Sequence, residues 1–346
     1  MVINNIQVLR AAAALMVVFV HVDKLLAKLD VLPFGYGGVD IFFVISGFIM
    51  VYTTTQRRTS AWSFFANRLA RIAPIYWSIT ILVFCVALVA PGLLQATKVD
   101  WIELSKSLAF IPFVKSNGLV APVLFVGWTL NYEMFFYAIF SVGLLLPTRI
   151  GALSVIGVLL ALTAAHDMTS NVIGQFYTAP IMLEFGFGMI VGLLYPHFHA
   201  VGAGLKWLCL AAMALATYAV IVLPTVAGHV PVCGLAAMAL VTCAIVLERS
   251  HWRITNRFVL LLGDASYSVY LTHPFVTQIS QRVTAGLTHP GFVMMAIFAT
   301  FAAIIVTGIA VHISLERPMS KLARQMLCGG RGAGVSVRVR PHVLEG

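Results

Sequence analysis

The chain has 346 residues, of which 60% are hydrophobic and only 10% are charged. Soluble domains carry about 25% charged residues, so this composition excludes a soluble globular protein and indicates an α-helical protein that crosses a lipid bilayer several times. The formal net charge of +10 does not indicate nucleic-acid binding, because the lysines and arginines flank the apolar segments, as is typical of membrane proteins.

Apolar runs that are long enough to cross a bilayer follow one another along most of the chain. Since a crossing takes about 20 residues, we expect an all-α, polytopic bundle of about ten transmembrane helices. Most lysines and arginines fall in the loops on the side of the N-terminus, so both termini are predicted to be cytoplasmic. The predicted spans are 6–27, 37–56, 71–90, 128–147, 150–166, 176–195, 205–224, 230–248, 264–282 and 291–314.

Two parts are expected in the chain, a transmembrane domain over residues 1–320 and a basic Gly/Arg-rich cytoplasmic tail over 321–346. The tail shows no amphipathic period and is therefore predicted to be disordered. The residues Glu316-Arg317-Pro318 are expected to end the last span. No cysteine or histidine spacing typical of a metal site occurs, and motifs of ATP hydrolysis, serine esterases and zinc proteases are missing from the sequence. We therefore predict no metal site.

The first candidate site is a polar stripe on the first apolar run. Arg10 and His21 are eleven residues apart, so on one continuous helix they would share a face, about 16 Å apart along the axis. Charged or titratable groups inside membrane segments are costly and usually functional, and imidazole suits general-base catalysis near neutral pH. The alternative is a buried histidine that only bonds to a backbone carbonyl.

The second candidate site is the pair Arg68-Leu-Ala-Arg71 at the predicted cytoplasmic mouth of the third span. Residues at i and i+3 of a helix face the same way, and planar guanidinium groups bind phosphate oxygens in pairs. The alternative is ordinary positive flanking of a membrane helix. Ser46 and Gly47, inside the second span, are assigned to the same cofactor-binding group, with close helix packing as the alternative.

Three further groups lie near span ends and are candidates for substrate contact or catalysis. Asp40 enters the second span from the outer side and is either a helix N-cap or a substrate contact. Glu133 lies about one turn inside the fourth span, which Trp128 opens. A carboxylate at that depth needs a cation such as Arg10 or a bound proton.

The ninth span carries Tyr270 and His273 three residues apart, so both lie on one side of the helix. His273 is expected at a depth comparable to that of His21. The two histidines then form either a proton relay or two walls of one site. The alternative is a hydrogen-bonded histidine in a helix kinked at Pro274. The longest predicted outer segment, about 91–127, is a candidate surface for an extracytoplasmic substrate.

Five motifs, taken in order, resemble the membrane-bound acyltransferase 3 family, and most of all its exopolysaccharide-production (ExoZ-like) branch. They are Arg10-x10-His21, GGVDIFFVISGF at 37–48, Arg68-Leu-Ala-Arg71, WTLNYEMFFY at 128–137 and LGDASYSVYLTHP at 262–274. The resemblance runs from about residue 5 to residue 318. It implies a multi-pass protein of the bacterial inner membrane.

The resemblance also implies a reaction and its partners. The reaction is transfer of an acyl group, most often acetyl from acetyl-CoA, to a sugar hydroxyl of a surface polysaccharide. Acyl-CoA is then a co-substrate, and no permanently bound cofactor is expected. The implied partners are the lipid bilayer, a polysaccharide or lipid-linked oligosaccharide acceptor and the polysaccharide assembly machinery. A larger acyl group than acetyl remains open.

We therefore hypothesise that Arg68 and Arg71 hold the phosphates of coenzyme A while His21 deprotonates the sugar hydroxyl. Arg10 would stabilise the developing oxyanion or orient a carboxylate. An acyl-histidine intermediate on His21 is an alternative to direct transfer. A proton-coupled transporter is the alternative function, although the sequence shows no inverted repeat. Supporting roles in protonation or acceptor binding fall to Glu133, His273, Asp40, Trp128 and Tyr270.

Overall fold

The computed structural model describes residues 3–31, 34–90, Gly92, 99–227 and 231–329. The regular elements within these ranges are helices, and the one β feature is an isolated bridge between Val114 and Val120. The predicted all-α class is therefore confirmed. The helices are α1 (Asn4–Val20), α2 (Asp23–Ala27), α3 (Gly38–Gln56), α4 (Ala61–Val89), α5 (Trp101–Leu108), α6 (Trp128–Gly143), α7 (Thr148–Ala164), α8 (Val172–Tyr177), α9 (Leu183–Leu194), α10 (Ala203–Ala227), α11 (Pro231–Arg249), α12 (Arg257–Asp264), α13 (Ser266–Val283), α14 (Pro290–Val311) and α15 (Arg317–Cys328).

Several of these helices are long and apolar enough to cross a membrane, which supports a multi-pass membrane protein. Two further apolar helices, α1 and α7, are shorter. Each predicted span overlaps a helix of the described chain, while the number of crossings and the side of each terminus stay predictions. The six candidate spans within the described residues are Gly38–Gln56, Ala61–Val89, Val172–His197, Ala203–Val222, Val232–Arg249 and Pro290–Cys328.

The start of α1 is fixed by a side chain from the end of α11. The N-cap residue Ile3 offers no side-chain acceptor, but the Glu248 carboxylate accepts hydrogen bonds from the backbone N–H groups of Asn4 at 2.8 Å and Asn5 at 2.6 Å. Two otherwise unpaired donors are satisfied, and a negative charge lies at the positive end of the helix. This contact defines what we call the N-terminal end of the bundle.

A lysine ties the opposite end of the bundle together. The Lys28 ammonium, just after α2, donates to the backbone carbonyls of Thr284, Ala285 and Leu287 at 2.7, 2.9 and 2.9 Å. These carbonyls follow the end of α13, where unpaired acceptors and the negative end of the helix dipole favour a cation. We call this region the opposite end of the bundle.

Helix α3 is the centre of the bundle and crosses α9 at very short range. A Cβ atom added at Gly47 would lie 2.0 Å from the carbonyl oxygen of Phe185, and one added at Gly188 would lie 1.9 Å from that of Val44. Only glycine fits at both positions, as in other closely packed membrane helices. By contrast, only 17% of the candidate span in α10 is buried, so that helix lies at the periphery.

Two of the helix ends that differ from the sequence prediction affect the candidate site. Helix α1 ends at Val20 rather than continuing to residue 27, because the N–H groups of His21 and Val22 bond back to Val18 and Phe19 in a tightened last turn. Helix α4 begins at Ala61 rather than at residue 71, because the Ser60 hydroxyl caps it. Consequently, His21 lies just past its helix, and the arginine pair lies inside its own.

The C-terminal part of the described chain continues as a helix. A π-helical turn at His312–Glu316 joins α14 to α15, so Glu316-Arg317-Pro318 does not end the helical segment. Residue 320, the predicted limit of the transmembrane domain, falls within α15. Residues 330–346 of the expected tail lie outside the described residues, so the disorder of the tail stays a prediction.

Candidate active site

A cavity lies among α1, α3, α4, α6 and α13. Its wall combines three guanidinium groups and one carboxylate with hydroxyl groups and with aliphatic and aromatic side chains. Such a wall suits a ligand that has both an anionic and an apolar part. The sequence-predicted residues that line it are Arg10, Ser46, Arg68, Arg71, Glu133 and Tyr270.

The three arginines of the cavity carry charge that no ion pair among the described residues neutralises. Arg10 is buried, and its guanidinium donates to the Gln7 side-chain oxygen at 2.9 Å. The Arg68 guanidinium lies over the ring of Tyr137, 5.9 Å from its centroid. Unneutralised positive charge in a low-dielectric cleft attracts anionic ligands.

The carboxylate of Glu133 is held by two hydroxyl groups rather than by the cation that the sequence analysis considered. The Ser46 hydroxyl donates to Glu133 Oε1 at 3.1 Å, and the Tyr137 hydroxyl donates to the same oxygen. Ser46 and Tyr137 also contact each other at 3.2 Å. This triangle joins α3 to α6 and orients a carboxylate toward the guanidinium-lined cavity.

The structure brings His21 and His273 together, with ring centroids 4.8 Å apart in an edge arrangement. His21 Nδ1 lies 2.8 Å from the carbonyl oxygen of Val17, so Nδ1 carries the proton and Nε2 keeps its lone pair. His273 is fully buried, and neither ring nitrogen has a hydrogen-bond partner of good geometry among the described residues. Neither histidine lines the cavity.

Tyr270 connects the cavity to the histidine pair. Its ring lies 5.9 Å from that of His273, one turn farther along α13, and its hydroxyl donates to the carbonyl of Val126 at 2.7 Å. The adjacent Phe125 ring lies 5.5 Å from the ring of His21. The segment before α6 therefore covers both Tyr270 and the histidine pair.

A buried lysine holds the residues before α6 (122–127) in place, and we call these residues the covering segment. The Lys115 ammonium, only 5% exposed, donates to the carbonyls of Pro122 at 3.2 Å and Val123 at 3.5 Å. Burial lowers the pKa of this ammonium group. The Val123 N–H donates to the Ser107 hydroxyl at 2.9 Å, so the segment is also tied to α5.

Besides the two histidines, three predicted site residues lie away from the cavity. Gly47 lies in the α3–α9 crossing, which matches the packing alternative. Asp40 is fully buried and shares a side-chain hydrogen bond with Glu184 of α9, while the N-cap of α3 is Gly37. Trp128 is half-buried, with its ring 5.9 Å from that of Tyr132. Their assigned roles stay predictions.

A buried polar network that sequence reasoning missed lies beside the cavity. His312 Nδ1 donates to Glu316 Oε2 at 2.7 Å, and the Ser268 hydroxyl donates to the same oxygen at 2.6 Å. Arg317 Nε in turn donates to His312 Nε2 at 3.0 Å. The i, i+4 spacing of histidine and glutamate in an apolar run was the available signal.

Comparison with known proteins identifies the class of this chain. The family model described as "Acyltransferase domain", that of the acyltransferase 3 family, matches residues 3–312, and the chain therefore belongs to this family of acyltransferases. It is 36% identical over 297 residues to "Exopolysaccharide production protein ExoZ" of Rhizobium meliloti (strain 1021), across 84% of this chain and 91% of that protein. No solved structure matches. The predicted family and branch are confirmed.

Proposed function

We propose that this acyltransferase moves an acyl group, acetyl in the simplest case, from cytoplasmic acyl-CoA to a sugar hydroxyl of an exopolysaccharide or its lipid-linked precursor in the bacterial inner membrane. The carrying observation is that two unlike groups of polar side chains lie next to each other, and we propose that the substrates meet along one path between them. Three guanidinium groups that form no salt bridge within the described part of the chain line a cavity with Tyr270, and the Tyr270 ring lies 5.9 Å from His273, which contacts His21. The name of the relative supports the exopolysaccharide acceptor.

The donor enters the guanidinium-lined end of the path. Arg68 and Arg71 bind the phosphates of coenzyme A through charge-assisted hydrogen bonds, and the pantetheine arm extends along the apolar wall toward the histidines. The rise between residues 10 and 21 along the chain amounts to about 16 Å of helix, a length that suits an extended linker between a nucleotide and its thioester.

Transfer then proceeds at His21. Its Nε2 lone pair takes the proton of the sugar hydroxyl while the hydroxyl oxygen attacks the thioester carbonyl carbon. A C–O bond forms, the C–S bond breaks, and the imidazolium gives its proton to the leaving thiolate of coenzyme A. Arg10 lines the cavity together with Glu133, about 16 Å of helix rise from His21. Its candidate role is therefore to orient that carboxylate, while His273 holds the His21 ring in place.

Chemical analysis of the surface polysaccharide tests this function against the transporter alternative. In cells that lack the gene, we expect NMR of the purified polysaccharide to show loss of ester-linked acyl groups while the polysaccharide is still exported. Complementation should restore the acyl groups. Loss of the whole polysaccharide from the cell surface would contradict the proposal, because it indicates a role in export rather than acylation.

A further inference from the structure

Helix α15 lies beyond the residues that the family model matches, which end at His312, yet it is firmly attached to the bundle. At its start, Arg317 donates to His312 at 3.0 Å and lies 3.9 Å from the Asp264 carboxylate. Buried hydrogen bonds within the same network link Glu316 to Ser268 of α13. The first turn of α15 is therefore fixed relative to α13, whose residues line the cavity.

The next turn of α15 contacts α4 beside the arginine pair. The Ser320 hydroxyl donates to the backbone carbonyl of Arg71 at 3.4 Å, and Met319 packs against the main apolar core. Arg324 follows Ser320 by four residues, or about one helical turn, so it lies on the same face of α15. The helix thus directs Arg324 toward the stretch of α4 that carries Arg68 and Arg71.

The guanidinium groups of Arg68, Arg71 and Arg324 repel one another. The nearby carboxylates of Glu133 and Glu316 act on them without forming a salt bridge. The charge of Arg324 acts on both Arg68 and Arg71, and no salt bridge among the described residues joins any of the three to a carboxylate. Arg68 Nε is also buried without a hydrogen-bond partner. Arg324 itself is exposed and so is free to meet a ligand. Such repulsion costs stability unless an anion binds.

We propose that Arg324 is a further donor-binding residue, which joins Arg68 and Arg71 in holding the phosphate groups of coenzyme A. This inference rests on the proposed function. Helix α15 then forms one side of the donor entrance. Its attachment through His312 and Glu316 sets the position of the Arg324 guanidinium group.

Binding of coenzyme A to the full-length protein in phosphatidylcholine nanodiscs tests the inference without any acceptor. By isothermal titration calorimetry, we expect Arg324→Gln to raise the Kd for coenzyme A about tenfold, the value of one charge-assisted hydrogen bond. Arg324→Lys, which keeps the charge but loses the planar fork, should raise it less. Lys321→Gln is the matched control, because it removes one positive charge from an exposed position of the same helix.

The outcomes separate this inference from the function on which it rests. If the wild-type protein binds no coenzyme A, the proposed donor and the role of Arg324 fail together. If the wild-type protein binds it and Arg324→Gln leaves the Kd unchanged, only the role of Arg324 fails. An equal effect of Lys321→Gln, or an effect seen only in nanodiscs that contain phosphatidylglycerol, would also overturn it, because general surface charge or lipid binding would then explain the change.

Discussion

The two ends of the proposed path, the cavity and the histidine pair, hold their polar groups in different ways. At the cavity end, the guanidinium groups of Arg10, Arg68 and Arg71 have no carboxylate in salt-bridge contact among the described residues. At the histidine end, His21, Tyr270 and Lys115 each bond to a backbone carbonyl.

This difference indicates that the cavity end is suited to binding a ligand and the histidine end to positioning the catalytic groups. Charge without a partner is suited to an anion that the ligand supplies. Polar side chains anchored on backbone carbonyls hold rings and loops in one geometry, which is what a general base needs. We therefore expect changes at the cavity end to act mainly on donor binding, and changes at the histidine end to act mainly on the chemical step or on acceptor binding.

The largest effect is expected for His21→Ala. Removal of the general base should lower the rate of acyl transfer by about 10²- to 10⁴-fold, with the donor KM nearly unchanged. Single-turnover transfer from labelled acyl-CoA measures this, and the exposed His199→Ala is the control. Undiminished transfer in His21→Ala would end the assignment, and label retained on the wild-type protein would favour an acyl-histidine intermediate.

At the cavity end, Arg68→Ala should raise the KM for acyl-CoA about tenfold or more, since charged hydrogen bonds to phosphate are lost. The catalytic constant should change less. Steady-state kinetics over a range of donor concentrations separate the two parameters. Arg58→Ala, in the exposed loop before α4, removes the same charge as a control. If Arg68→Ala lowers the catalytic constant as strongly as His21→Ala does, the division between the two ends is wrong.

A change in the packing of α3 against α9 should affect donor binding and the chemical step equally, because it acts on the stability of the whole fold. In Gly188→Ala the new methyl group would meet the Val44 carbonyl, and forcing α3 from α9 should cost about 1–3 kcal/mol of stability. Gly157→Ala in α7, where nothing lies within 4 Å of the added atom, should be neutral or stabilising by up to about 1 kcal/mol. Thermal unfolding in detergent compares the two, and equal midpoints would contradict the close crossing.

The smallest effect is expected for Lys115→Met, which keeps an apolar chain but removes the ammonium that holds the covering segment. Losing these hydrogen bonds should loosen Phe125 over His21 and raise the acceptor KM by about threefold to tenfold, with the donor KM unchanged. Lys24→Met, at an exposed position, is the control. A change in the donor KM instead would contradict this prediction, because it would show that the covering segment acts on donor binding.

Composition and local pattern were enough for the class of the protein and for most polar groups of the site. A charge within an apolar run is costly in any fold, so Arg10, Arg71 and Glu133 were recognisable before the structure, and all three line one cavity. Helix ends were less predictable, because the turn at His21 and the cap at Ser60 depend on a few hydrogen bonds.

The pairings, by contrast, depend on how helices pack. The contact of His21 with His273, the hydroxyl partners of Glu133, the bond between Asp40 and Glu184 and the approach of α15 to α4 all join residues far apart in sequence. No local propensity encodes such contacts, since they follow from which faces of α1, α3, α6, α9 and α13 meet. The sequence by itself therefore determined an all-α membrane acyltransferase with arginines and histidines in its interior. Only the tertiary structure decided that the arginines share one cavity, that the histidines touch beyond it, and that α15 brings a further arginine to the arginine pair.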